Sequence, residues 1–98
     1  MAQIKRVRWT SLGLRDLNHA YDYIERERPS AALGIIQHVD GALDALILYP
    51  LIGRPGRIKG TRELFMANTP FLIAYRVNHD QLEILAFMHA ARRWPDAL

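Results

Sequence analysis

Two alternating apolar stretches, residues 71–77 and 82–88, stand on either side of the polar quartet Asn78-His79-Asp80-Gln81. Runs of this length, rich in branched and aromatic side chains and joined by so short a link, fold as a β-hairpin, and the link fixes which residues face one another. With the turn centred on His79-Asp80, Val77 lies opposite Leu82, Arg76 opposite Glu83 and Tyr75 opposite Ile84. Alternation then puts Phe71, Ile73, Tyr75, Val77, Leu82, Ile84, Ala86 and Met88 on one face, almost wholly apolar, which the rest of the chain must cover. The other face takes Leu72, Ala74, Arg76, Glu83, Leu85, Phe87 and His89, apolar in the middle and polar at the ends. No further helix is left to cover it, so it is expected to form a partner interface.

The cover for the first face lies upstream. Thr10 or Ser11 can cap a helix in which Leu14, Leu17, Tyr21 and Ile24 recur at three- and four-residue steps through about Arg28. Pro29-Ser30 ends it and starts a second, because proline cannot continue the hydrogen-bond ladder and serine accepts from the free N–H groups of a first turn. Ala32, Ile35, Ile36, Val39, Leu43, Leu46 and Ile47 give that helix an apolar stripe, which stops at Tyr49-Pro50. Two amphipathic helices with so short a joint fold back as a hairpin. Gly34 and Gly41 fall inside the second, where each costs about 1 kcal/mol relative to Ala; close packing against a neighbour would account for them.

Residues 3–9 alternate as a first strand, with Lys5, Val7 and Trp9 on one face and Ile4, Arg6 and Arg8 on the other. Residues 53–60 are a basic glycine-rich loop, and a further strand at residues 62–67 precedes the turn Asn68-Thr69-Pro70. The order is βααβββ, an α+β fold in which a helical hairpin packs on an antiparallel sheet. The 98 residues make one domain, large enough for a modest core.

With no cysteine, the chain has neither disulfides nor thiolate metal ligands, and it suits a reducing cytoplasm. Its start lacks a leader pattern, and no stretch is expected to span a membrane. His19, His38, His79 and His89 are not spaced as a metal-ligand pair, and no cofactor motif is present: Lys59 precedes Gly60-Thr61 in the wrong order for a phosphate loop, and βαβ units are missing.

The net charge is +3, with Lys5, Arg6 and Arg8, then Arg54, Arg57, Lys59 and Arg62, then Arg92 and Arg93 as basic groups, while acids gather at Asp16, Asp22, Glu25, Glu27, Asp40 and Asp44. Such a surface meets a polyanion or an acidic protein segment, or is ordinary solvated charge. RNA cleavage by internal attack of a 2′-hydroxyl needs a base, an acid for the leaving oxygen and positive charge on the phosphate. His89 with Arg62, Arg76 and Arg92 supplies those groups. The structural alternative is as concrete: Arg76 pairs with Glu83 across the strands, and His89 is a strand-end residue with a satisfied side chain.

The patterns Pro50-Leu51-Ile52-Gly53-Arg54, Gly60-Thr61-Arg62-Glu63-Leu64, Pro70-Phe71-Leu72-Ile73-Ala74-Tyr75-Arg76-Val77 and His89-Ala90-Ala91-Arg92 to Trp94-Pro95 resemble the RelE/ParE superfamily of bacterial toxin–antitoxin toxins. Val7-Arg8-Trp9-Thr10, Asp16-Leu17 and Tyr23-Ile24 extend the resemblance over nearly the whole chain. It implies a toxin that halts growth until a cognate antitoxin wraps it with an acidic or amphipathic segment, operator DNA being reached only through the antitoxin. RelE-like members cut messenger RNA on the ribosome, and for them the resemblance implies Arg62, His89 and Arg92 as catalytic residues, to which the reading of the residues adds Arg76. ParE-like members poison DNA gyrase. Phe71-Leu72 begins the strand where a ribonuclease carries a phosphate-binding arginine, and the two full helices are ParE-like, so gyrase is the favoured target and the ribosome with its message the alternative. Arg54, Arg57, Lys59, Arg62, Leu72, Leu85, Phe87, Arg93 and Trp94 are the expected contacts with a partner or polyanion.

Overall fold

The computed structural model describes residues 3–91, so that Arg92, Arg93 and Trp94 lie outside the described residues. The elements are β1 (Arg6–Trp9), α1 (Ser11–Glu27), α2 (Pro29–Leu48), β2 (Arg54–Pro55), β3 (Arg62–Phe65), β4 (Phe71–Asn78) and β5 (Gln81–His89). They form one sheet in the order β1-β5-β4-β3-β2 with both helices packed against it. Strands β2 to β5 run as an antiparallel meander, and part of the glycine-rich loop is its first hairpin. Strand β1, however, joins the far edge parallel to β5, with Val7 opposite Leu82. The sheet is therefore mixed rather than antiparallel: a parallel pair needs a long crossover, which the helical hairpin supplies, and side-chain alternation carries no information about strand direction.

Thr10 caps α1 as its position suggests, its side chain accepting from the Gly13 N–H at 3.1 Å. Arg28 is the whole joint between the helices; extended backbone there suits the residue before a proline, and Pro29 takes the first turn of α2, where its missing N–H costs nothing. Ser30 is thus inside α2 and is not its cap. One side of the sheet and the apolar stripes of both helices close the main core, with Ile35, Val39 and Leu46 of α2 against Ile73, Tyr75, Leu82, Ile84 and Phe87. Helix α2 has the length and hydropathy of a membrane-spanning segment, contrary to the sequence expectation. It carries Asp40 and Asp44, and its stripe is spent on this core.

The hairpin register holds from the turn to Tyr75 opposite Ile84 and then slips, because Ala74 pairs with Ala86 and Leu85 is left over as a bulge. One extra residue exchanges the faces of everything beyond it. Phe87 accordingly belongs to the helix-side core, stacked on Phe71 at 4.9 Å, and His89 stands edge-on to Phe71 on the same side. Ala86 and Met88 move to the other face, where they form a second cluster with Leu72 and Ala74. All four are at most 1% exposed, and Ala90 packs against them, so the expected open apolar interface is closed. The slip falls where the start of α1 meets β5. Beyond Trp9 strand β1 stops, and Thr10 takes over the free edge of β5: its hydroxyl reaches the Ile84 and Leu85 carbonyls at 3.1 and 3.2 Å. Buried Asp16 then accepts from the Phe87 N–H at 3.3 Å. Two helix side chains thereby do for β5 what a further stretch of strand would do.

Candidate functional site

Glycine at position 53 is where the structure of the basic loop begins. A Cβ there would stand 2.5 Å from the Tyr75 hydroxyl and 2.7 Å from its ring, so the backbone can reach this buried phenol only as glycine. The phenol accepts from the Gly53 N–H at 2.9 Å and donates to the Pro50 carbonyl at 2.8 Å. Burial pushes its pKa above the ordinary 10.0, against the Gly53 hydrogen bond and the Arg62 charge, so it remains a neutral donor. The Arg62 guanidinium adds hydrogen bonds to the Gly53 carbonyl at 2.7 Å and the Leu51 carbonyl at 3.3 Å.

Glu63, a buried carboxylate on β3, holds the next part of the loop. Arg54 reaches one oxygen at 2.9 Å, and the Arg57 backbone N–H and guanidinium approach the other at 2.9 and 4.0 Å. Arg54 also lies over the Phe65 ring at 4.7 Å. Two of the expected polyanion contacts are therefore partly spent inside the molecule, on an acid that follows the basic run by one position. Lys59 is exposed at the loop tip.

At the turn end of the sheet, Glu83 lies between Arg76 at 2.6 Å and Arg8 at 3.5 Å, the three being register partners across β4, β5 and β1. The Arg76 hydrogen bond, helped by both positive charges and by Asn78, holds this buried carboxyl below its ordinary 4.5, although burial pushes the other way. His89 is at the opposite end of β5. Its Nδ1 accepts from the Ala91 N–H at 3.1 Å, which leaves Nε2 to carry the proton of the neutral ring.

The proposed cationic set is thus scattered. His89 pairs with Phe71, five residues along β4 from Arg76, a separation of about 17 Å at about 3.3 Å per residue. Arg62 shares its face with Tyr75 and Arg76 projects from the other, since they are successive positions of the meander register. Among the described residues, no histidine and pair of arginines converges on one point. Leu72, Leu85 and Phe87 are buried.

What the surface does offer is a groove between α2 and the β3–β4 turn. One hollow of about 550 Å³ is lined by Tyr23, Ile24, Arg28, Ile35, Phe71 and His89 among others, and a second of about 480 Å³ by Gly41, Ala42, Ala45, Ile52, Phe65 and Met66. His38 and Asn68 line both, so the two hollows adjoin. Sequence reasoning missed it, along with the roles of Glu63, Asp16 and the Tyr75 hydroxyl and the hold of Thr10 on β5. A glutamate set among unpaired cations was the available signal for Glu63; the groove left none, because it forms between elements distant in sequence.

A family model, the ParE toxin of the type II toxin–antitoxin system parDE, matches residues 7–94. The chain is 49% identical over 94 residues to Y4kP, a toxin candidate of Sinorhizobium fredii, covering 96% of this chain and 97% of the relative. A chain from the chromosomal ParDE toxin–antitoxin system of P. aeruginosa superposes with a TM-score of 0.77 at 25% identity, over 90% of this chain and 98% of that one. The toxin–antitoxin complex RelBE2 of Mycobacterium tuberculosis shares the fold, with a TM-score of 0.57 at 23% identity over 91% and 99% of the two chains.

Proposed function

The chain belongs to the ParE family of type II toxin–antitoxin toxins, and we propose that it halts growth by binding and inhibiting DNA gyrase until a cognate antitoxin neutralises it. The observation that carries this reading over RNA cleavage is the scatter of Arg62, Arg76 and His89. General acid–base work on a phosphate needs its groups within about 3 Å of the reacting atoms, whereas these residues lie on different faces and ends of the sheet, two of them engaged with Glu83 and with loop carbonyls. Inhibition by binding makes no such demand.

The antitoxin lies in the groove beside α2. Two adjoining apolar hollows with Arg28, His38 and His89 along them fit an acidic amphipathic segment that orders on binding. Operator DNA is reached only through the antitoxin, and the site of action is the cytoplasm.

Expression of the toxin alone with His89→Ala tests the absence of chemistry. Growth arrest equal to that of the unaltered chain, with DNA breaks and intact messages, is the expected result. Loss of toxicity together with loss of ribosome-dependent message cleavage would establish the ribonuclease instead.

A further inference from the structure

The end of α2 and the turn that leads to β2 are built inside out. Backbone polar groups of the turn point inward onto Tyr75 and Arg62, while large apolar side chains face water: Leu48 is 71% exposed, Tyr49 64%, Leu51 50% and Ile52 49%. Phe65, 45% exposed, shares a hollow with Ile52 and extends the patch onto β3. Each such side chain forgoes part of the stabilisation that burial would bring. A slack loop would tuck them in, but hydrogen bonds from Tyr75 and Arg62 fix this backbone, and Gly53 permits the contact.

We propose that Leu48, Tyr49 and Leu51 form a rigid docking epitope that enters an acid-rimmed apolar pocket on the toxin's protein target, apart from the groove that takes the antitoxin. Shape is the first argument. Leu48, Tyr49 and Leu51 project from a turn and line neither hollow of the groove, and a projection of rigid apolar side chains is complementary to a preformed concavity, whereas a segment that orders on binding needs a groove. Charge is the second. The Arg62 guanidinium sits on the Leu51 carbonyl, and Arg54, Arg57 and Lys59 lie on the hairpin that leads from the patch to β3; against them stand Glu63, which holds Arg54 and Arg57, and, one helical turn before Leu48, Asp44. The rim is net positive and selects an acidic partner. A nucleic acid fits less well, since a stacking surface needs successive rings, whereas Tyr49 stands among aliphatic Leu48, Leu51 and Ile52 and Arg54 already covers Phe65.

The inference rests on the reading of the chain as a toxin with a protein target, and the double variant Leu48→Asp/Leu51→Asp tests it with purified gyrase and antitoxin as probes. The expected result is a folded variant that keeps antitoxin binding, binds gyrase at least about 30-fold more weakly, the effect of removing a hot-spot side chain, and no longer arrests growth. Undiminished arrest by the folded variant would overturn the epitope. Parallel loss of antitoxin binding would give the patch to the antitoxin, and a wild-type dimer dissolved by the variant would give it to a second copy; either outcome overturns the proposal, as does loss of single-stranded oligonucleotide binding in place of gyrase binding. If the aspartates unfold the chain, Leu48→Ser/Leu51→Ser asks the same question. Failure of the toxin reading is distinguishable: the unaltered chain would then leave growth untouched. Arrest by the unaltered chain that the variant relieves, with no gyrase binding by either, would move the target and leave the epitope standing.

Discussion

Glu83 turns Arg76, a candidate catalytic residue, to a structural use. Its register partners Arg8 and Arg76 hold its carboxyl below the ordinary 4.5, so the folded chain binds the Glu83 proton more weakly than the unfolded chain does. The sign follows from linkage: the contribution is complete above the ordinary value and fades as pH falls through the lowered one. Glu83→Gln should therefore flatten the acid side of the melting-temperature profile as pH falls below the ordinary 4.5. Near neutrality it should cost only about 1 kcal/mol, since both arginines are half exposed. Differential scanning calorimetry from neutral pH downward checks both, and an unaltered acid slope would mean the cluster contributes nothing. The pairing of Arg76 with Glu83 was legible in the sequence because it depends only on counting back from the turn. Tyr75 was legible as a core residue but not as the holder of the Pro50–Gly53 backbone, since a phenol's partner 25 residues away leaves no trace in alternation.

At the scale of elements, β5 and α2 each departed from expectation for a reason outside the element. In β5 the sequence period is unbroken, yet Thr10 and Asp16 bind its free edge and Leu85 bulges, which sends Phe87 inward and Met88 outward. A two-residue period predicts faces only while the register lasts. In α2 the glycines do not serve close packing: a Cβ on Gly34 or Gly41 would meet no atom within 4 Å. Both line the groove, so the space above them is open to a partner. Gly34→Ala and Gly41→Ala should each stabilise the free toxin by about 0.5–1 kcal/mol, through helix propensity alone, as urea denaturation would record. A loss of stability would mean that the helix is strained there. Antitoxin affinity should fall in the same variants if the partner's backbone approaches the bare helix, which separates the groove from the Leu48–Leu51 epitope.

Over the whole molecule, element order and the helical hairpin followed from periodicity and one proline, and the family followed from motifs spread along nearly the entire chain. Strand direction at the β1 edge, the bulge and the groove did not, because each depends on contacts between segments far apart in sequence. The same distinction separates the two readings of function. His89, Arg62 and Arg76 resemble a catalytic set as a string of residues, but the sheet puts them on different faces and ends, and what it builds instead are a groove and a pinned apolar turn. On the proposed function, growth arrest comes from binding gyrase and not from cleaving RNA. Plasmid supercoiling by purified gyrase, with toxin titrated in and antitoxin then added, tests it most directly. Supercoiling that falls as toxin is added, equally for the unaltered chain and for His89→Ala, and that returns with antitoxin is the predicted result; supercoiling indifferent to the toxin while ribosome-bound messages are cut would contradict it.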